Sequence, residues 1–248
     1  MNLDNLSLSS SEIEVLNQFS DDLSKIGVSI TECQINQFIR FYEMLVEKNK
    51  VMNLTGITEF DQVFEKHFLD SISLARCVDL SANLSIMDMG TGAGFPGIPL
   101  KIAFPNLKMT LSDSLQKRLT FLEEVITELG LEQIETVHGR AEDLAMKEEY
   151  RERYDLCVSR AVANLSTLSE YCLPFVKQGG SFISYKSEEC DEEVEQAKSA
   201  IYLLGGKTRE ICKFSLGESG RSLIVIDKKS TTPRKYPRKA GTPSRNPL

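Results

Sequence analysis

At 248 residues, 41% of them apolar, the chain suffices for one large domain or one domain with an appendage, and with no apolar run near the ~18 residues of a membrane span and no signal-like start in Met1–Ser11, a cytoplasmic protein is expected. Six cysteines without a C-x-x-C pair and two histidines, His67 and His138, give no support to zinc, dithiol redox or Ser-His-Asp chemistry, so no metal is expected. The net charge of −7 is uneven, because Lys207–Leu248 holds 11 Lys and Arg against three acids and points to contact with a polyanion.

Residues Asn2–Ser11 read as unstructured. Ser11 is placed to cap a helix from Glu12 to about Ile26 that Gly27 ends. Thr31 starts a second helix, Glu32–Lys50, with Ile35, Phe38, Ile39, Tyr42, Leu45 and Val46 on one face; Asn53–Ile57 breaks it. A third opens at Thr58 and aligns Val63, Phe64, His67, Phe68, Ser71, Ile72 and Ala75. Alone these helices bury little, so residues 1–80 are expected to form a helical extension packed on a core at 81–230.

From Leu84 strands alternate with helices. The strands expected are Ser85–Met89, Lys108–Leu111, Ile134–His138, Asp155–Ser159, Gly180–Lys186, Glu210–Ser215 and Ser222–Lys228. Helical patterns separate the first six at Pro96–Phe104, Ser114–Leu129, Ala141–Tyr150, Leu165–Val176 and Glu188–Leu203. A short turn, Leu216–Arg221, forces the last two strands antiparallel, whereas each helical connection permits parallel pairing. The expected fold is an α/β, seven-stranded, mostly parallel doubly wound sheet, Rossmann-like, ending in a hairpin and followed by a basic tail at 231–248.

Ser85–Leu100 holds a buried-strand pattern with Asp88 near its end, the alternating glycines Gly90, Gly92 and Gly94, and a helix opened by Pro96. Such loops let a ligand approach the main chain, and the helix start offers N–H groups to it. Gly92-x-Gly94-x-x-Gly97 with Asp113 further on fits a dinucleotide site. Asp88-x-Gly90-x-Gly92-x-Gly94 fits S-adenosylmethionine equally, with Asp88 facing the ligand's ammonium group. The closing hairpin belongs to the common methyltransferase sheet and disfavours NAD. In either fold Asp113 is placed for ribose hydroxyls and Glu142 for an adenine amino group, although a first-turn acid at Glu142 also serves the helix dipole. Arg160 ends the fourth strand at the ligand edge of such sheets.

Several stretches together resemble the bacterial 16S ribosomal RNA (guanine-N7)-methyltransferase family RsmG, also called GidB. They are Met52–Thr55, His67–Ser71, Asp88–Leu100, Asp113–Arg118 with Phe121-Leu122, Gly139–Glu142, Ser159–Ala161, Gly179-Gly180 and Tyr236–Pro243. One departure is Lys186-Ser187, where the family often has Lys-Gly. The resemblance implies S-adenosyl-L-methionine as cofactor, contacts at Gly90, Phe95, Ala141, Glu142 and Arg160, and guanine 527 of 16S ribosomal RNA as target, in free RNA or in the small ribosomal subunit. Asp88, Gly92 and Asp113 join the expected cofactor set. Guanine N7 has a free lone pair and no proton to lose, so no catalytic residue is assigned and His67 reads as a packed structural residue. Lys228, Arg234, Lys235, Arg238 and Lys239 are the expected RNA contacts, with Tyr236 available to stack. The chain is taken as a monomer. An NAD-dependent oxidoreductase, a cofactor-binding protein without activity and a non-catalytic RNA-binding ribosome-assembly factor remain the alternatives.

Overall fold

The computed structural model describes residues 8–160 and 162–248, so the expectation of an unstructured Asn2–Ser7 and the Ala161 of the Ser159–Ala161 match lie outside the described residues. Helix α1, Ser10–Lys25, begins two residues before its expected start. Ser9 caps it: Glu12 N–H donates to the Ser9 hydroxyl at 3.3 Å and Ser9 N–H donates back to the Glu12 carboxylate at 2.8 Å. That reciprocal pair satisfies two helix-end donors and displaces Ser11 from the capping role. Thr31 and Gln34 make the same box at the start of α2, Glu32–Met52, which ends on Asn53 in the left-handed region. The third helical stretch is composite. It runs from α3, Phe60–Val63, through a π turn, Phe64–Leu69, to α4, Asp70–Ile72, and a 3-10 turn, Ser73–Arg76.

The sheet has seven strands in the order β3-β2-β1-β4-β5-β7-β6. Strands β1 (Ser85–Met89), β2 (Lys108–Asp113), β3 (Ile134–His138), β4 (Tyr154–Arg160) and β5 (Val176–Ser187) are parallel. Strand β7 (Ser219–Lys228) lies antiparallel between β5 and β6 (Gly206–Leu216). The expected doubly wound architecture with a closing hairpin is therefore what the chain adopts. Ser187 is still paired, to Arg221, so the departure at Lys186-Ser187 sits inside a strand.

Side chains alternate across the strands and feed two cores. Ile86, Leu156, Val158, Ile183 and Val225 face one, with α5 (Gly97–Ala103), α6 (Gln116–Glu128) and the N-terminal helices. Met87, Cys157, Phe182, Ile224 and Ile226 face the other, with α8 (Leu165–Cys172) and α9 (Asp191–Leu203). Helix α7 is one turn, Ala141–Leu144, rather than reaching Tyr150. Beyond it the backbone goes on in tighter turns, Lys147 N–H donating to the Leu144 carbonyl at 3.0 Å, and the Ala145 carbonyl accepts from the Arg151 guanidinium at 3.0 Å.

The N-terminal helices are joined to the glycine loop by aromatic packing. Phe19 meets Phe38 at 5.3 Å, Phe38 meets Phe68 at 5.2 Å, and Phe41 and Phe68 meet Phe95 at 5.6 and 6.2 Å. Each buried ring contributes about 1.5–3 kcal/mol. Gln34 Nε2 donates to the carbonyls of Ile102 and Ala103 at 2.7 and 3.1 Å, and so closes the C-terminal end of α5. The helical extension thereby fixes both Phe95 and α5, the two sides of the loop. No described helix is long and apolar enough to cross a membrane.

Candidate cofactor and nucleic-acid site

The carboxyl ends of β1, β2, β3 and β4 open on a cleft with two lobes. One, about 320 Å³, is lined by Gly90, Asp113, Ala141, Glu142, Tyr171 and Ser244. The other, about 430 Å³, is lined by Thr55, His67, Gly92, Phe95, Arg118 and Arg160. Gly90, Asp113, Ser114 and Val162 line both. Gly90, Gly92 and Gly94 have φ of +73°, +61° and +99°. A Cβ built on Gly92 meets nothing nearer than the Gly90 carbonyl at 3.9 Å, and the open space beside it is the cleft. At Gly92 the loop thus lacks a side chain where a ligand's backbone-facing edge would lie, whereas the space beside Gly90 is taken by Val162 and that beside Gly94 by Ile98 and Leu122.

Asp88 does not line this cleft. It is fully buried beneath the loop, where its Oδ2 accepts from the Thr91 hydroxyl at 2.7 Å and from Gly97 N–H at 2.9 Å. The expectation of a ligand ammonium group beside Asp88 gives way to these two neutral donors, and the helix-start N–H of Gly97 is spent on the protein itself. Asp88 Oδ1 has no hydrogen-bond partner among the described residues. Burial, opposed by those two hydrogen bonds and by Arg160, pushes its carboxyl up to about 7.

That displacement makes a pH prediction. A carboxyl whose folded pKa exceeds its unfolded value gives stability that is fully present below about 3.8 and is lost as pH rises through about 7. Asp88→Asn removes this titration and keeps an acceptor for Gly97 N–H. Measured against the wild type, its melting temperature is expected to climb between about pH 4 and pH 8, for a relative gain of a few kcal/mol at most. His67 acts oppositely, losing stability as pH falls from 6.5 to about 4, but it is common to both proteins and cancels in the difference. Melting curves that run parallel over this range would overturn the role given to Asp88.

Asp113 lines both lobes and is tightly held. Its Oδ2 accepts from Gly92 N–H at 3.0 Å and from Arg118 Nη1 at 3.1 Å, and its Oδ1 from Leu115 N–H at 2.9 Å. It ties the glycine loop to the end of β2 while presenting a carboxylate to the cleft. Glu142 is buried at the lobe floor, and its Oε1 accepts from Gly241 N–H at 2.8 Å. Ala141 lies beside it, and Gly90 forms the seam between the lobes.

In the second lobe the Arg160 guanidinium packs over the Phe95 ring at 4.8 Å. Its Nη1 donates to Asp70 at 2.8 Å. Asp70 also takes Arg221 Nε at 2.9 Å and Nη2 at 2.6 Å. Asp70 was legible in the sequence as part of His67–Ser71, but its pairing with Arg221 had no local signal. The His67 ring stacks on Phe95 at 4.5 Å, and Thr55 Oγ1 sits 2.8 Å from its Nε2. Burial first, then Arg160, lower His67 to about 4, so the imidazole is neutral near pH 7 and a weak base.

The tail departs from its expected form. Lys228 is buried, donating to the Leu173 carbonyl and the Thr232 hydroxyl at 2.7 and 2.6 Å and pairing with Glu152 at 3.1 Å; burial pulls it down to about 8. Arg238 makes a two-pronged pair with the fully buried Glu170, its Nη2 at 2.7 Å and its Nε at 3.0 Å. Lys228 is thereby enclosed by the protein, and the charge of Arg238 is matched by Glu170. Arg234, Lys235 and Lys239 are exposed. Tyr236 is buried in the second core and does not stand free to stack on a base.

Two kinds of comparison bear on this cleft. The family model described as rRNA small subunit methyltransferase G matches residues 34–224. A "Ribosomal RNA small subunit methyltransferase G" of Brevibacillus brevis is 52% identical over 93% of this chain and 98% of its own length. One of Lachnoclostridium phytofermentans is 50% identical over 93% and 96%. Among solved structures, TrmN from Thermus thermophilus has a TM-score of 0.51 at 16% identity, covering 66% of this chain and 53% of its own. A SAM-dependent O-methyltransferase from Thermotoga maritima has a TM-score of 0.51 at 18% identity, covering 76% and 72%. These two share the fold. Together with the near-complete sequence match, the sheet and its cleft establish that the chain belongs to the rRNA small subunit methyltransferase G family.

Proposed function

We propose that this chain transfers a methyl group from S-adenosylmethionine to N7 of a guanine in 16S ribosomal RNA, guanine 527 by the family resemblance, in the cytoplasm. The observation that carries the reading is the two-lobed cleft: one lobe is lined by Asp113 and Glu142, while the other sets the open backbone of Gly92 beside an arginine, an aromatic ring and a histidine too weakly basic to take protons. When bound, the cofactor supplies an electrophilic sulfonium methyl. Gly92 lets the main chain approach it, Gly90 lines the cleft beside Val162, Asp113 holds ribose hydroxyls and Glu142 the adenine amino group. Phe95 and Arg160 line the methyl side and orient the guanine.

Attack by N7 needs no general base. The protein contributes alignment at about 3 Å and exclusion of water. N7 of a paired guanine lies in a groove side chains hardly reach, so the target base is unpaired or flipped. Arg234, Lys235 and Lys239 follow phosphates at the rim. The antiparallel β7 argues against the NAD alternative.

Radiolabelled methyl transfer to small subunits and to free 16S RNA, with the modified nucleoside identified, tests this. 7-Methylguanosine is the expected product. Label on another atom or base would overturn the N7 assignment, and no transfer to either substrate would favour an assembly factor.

A further inference from the structure

We propose that the C-terminal segment Tyr236–Arg245 is a wall of the cofactor site, touching the adenine end through Gly241 and Ser244, with Arg238 as the positioning residue that holds it there. The inference rests on the reading of the acid-lined lobe as the adenine side. Gly241 and Ser244 line that lobe with Glu142 and Tyr171, although about 100 residues of chain separate them from Glu142. Gly241 N–H takes Glu142 Oε1, which leaves Oε2 as the acceptor for an exocyclic amino group. The tail thus aims the carboxylate that reads the base.

The anchorage is too extensive for a solvated RNA arm. Glu170 is fully buried in α8, and Arg238 supplies its charge-assisted bonds through backbone N–H at 2.7 Å as well as through the guanidinium. The Thr167 hydroxyl donates to the carbonyl of Pro243, in the one-turn helix α10, Thr242–Arg245, at 3.0 Å. Arg151 donates to the carbonyls of Thr232 and Tyr236 at 2.9 and 3.0 Å. Removing these ties would release the lobe's outer side and free Glu142 to turn. Lys239 remains exposed on the same segment and Arg234 and Lys235 just before it, so one strap serves the cofactor on its inner side and faces solvent on its outer side.

Calorimetric titration of the full-length protein with S-adenosylhomocysteine tests the wall through two variants. Ser244 is exposed, so Ser244→Trp leaves the core untouched while filling the lobe; Kd is expected to rise by about tenfold or more with an unchanged melting temperature. The double variant Glu170→Leu with Arg238→Leu replaces a buried pair by apolar groups, which keeps the fold while removing the anchor. It is expected to raise the KM for the methyl donor by about tenfold and to keep most of kcat at saturation, as loss of a positioning contact does. Weaker binding in Ser244→Trp with an unaltered double variant would keep the wall and remove Arg238 from its role. Wild-type affinity in both variants would overturn the proposal. A wild-type protein that does not bind S-adenosylhomocysteine would overturn the cofactor reading itself, and the wall with it.

Discussion

Asp70→Ala is expected to lower the melting temperature of the cofactor-free protein by about 6–12 °C, reflecting roughly 3 kcal/mol. Asp70 is 1% exposed and is the shared counter-charge of Arg160 and Arg221, whose side chains are 10% and 26% exposed. Its removal leaves two guanidiniums side by side with nothing between them. Breaking a buried pair in this way costs more than the pair itself contributes. Arg221 retains some access to water, which keeps the loss toward the low end of the usual range. Arg160 also loses the bond that holds it over Phe95, so methyl transfer is expected to fall beyond the loss explained by unfolding. Thermal melts with and without S-adenosylhomocysteine, paired with activity well below the melting temperature, measure both effects. A melting temperature within a degree of wild type would overturn the role given to Asp70.

Gly92→Val is expected to weaken S-adenosylhomocysteine binding by at least about a hundredfold, close to 3 kcal/mol. Two effects combine. The branched side chain projects into the cleft, and φ of +61° is a conformation β-branched residues resist by roughly 1–2 kcal/mol. A matched control separates them. Gly27, just past α1, has φ of +75° and open space around its Cβ, far in sequence from the loop. Gly27→Val is expected to lose similar stability and bind the cofactor normally. Equal binding losses in the two variants would assign the effect to backbone strain and remove Gly92 from the cradle.

The loop, the acids and the sheet could be read from the sequence because each is encoded locally. Gly90, Gly92 and Gly94 alternate, Asp113 follows an apolar run, and the strands announce themselves by their periodicity. Residues whose partners lie far along the chain were not legible. Lys228 and Arg238 read as free cations in a basic run, because nothing near them marks Glu152 or Glu170 as counter-charges. Tyr236 read as a stacking ring, yet the second core takes it. Asp88 read as a ligand group; besides the nearby Thr91 hydroxyl its partner is Gly97 N–H, nine residues on, where the loop folds back over it. The start of β5 was placed too late because Val176 already pairs with Tyr154, ahead of a register irregularity that carries the polar Lys177 and Gln178.

The π turn at Phe64–Leu69 makes segment length a specification in its own right. A π turn accommodates one residue more than an α turn, and each α-helical residue advances by about 100° around the axis. Deleting a single residue there would be absorbed: it would restore a regular helix and keep Asp70 in phase beside Arg160 and Arg221. Adding a residue to the regular turns beside it would swing everything downstream by that angle and take Asp70 away from both arginines, while the Phe60 side stayed packed as before. The segment is therefore tuned to a count as well as to an alphabet: substitutions within it act where they fall, whereas an added residue is felt a turn away, at the charge that holds the second lobe.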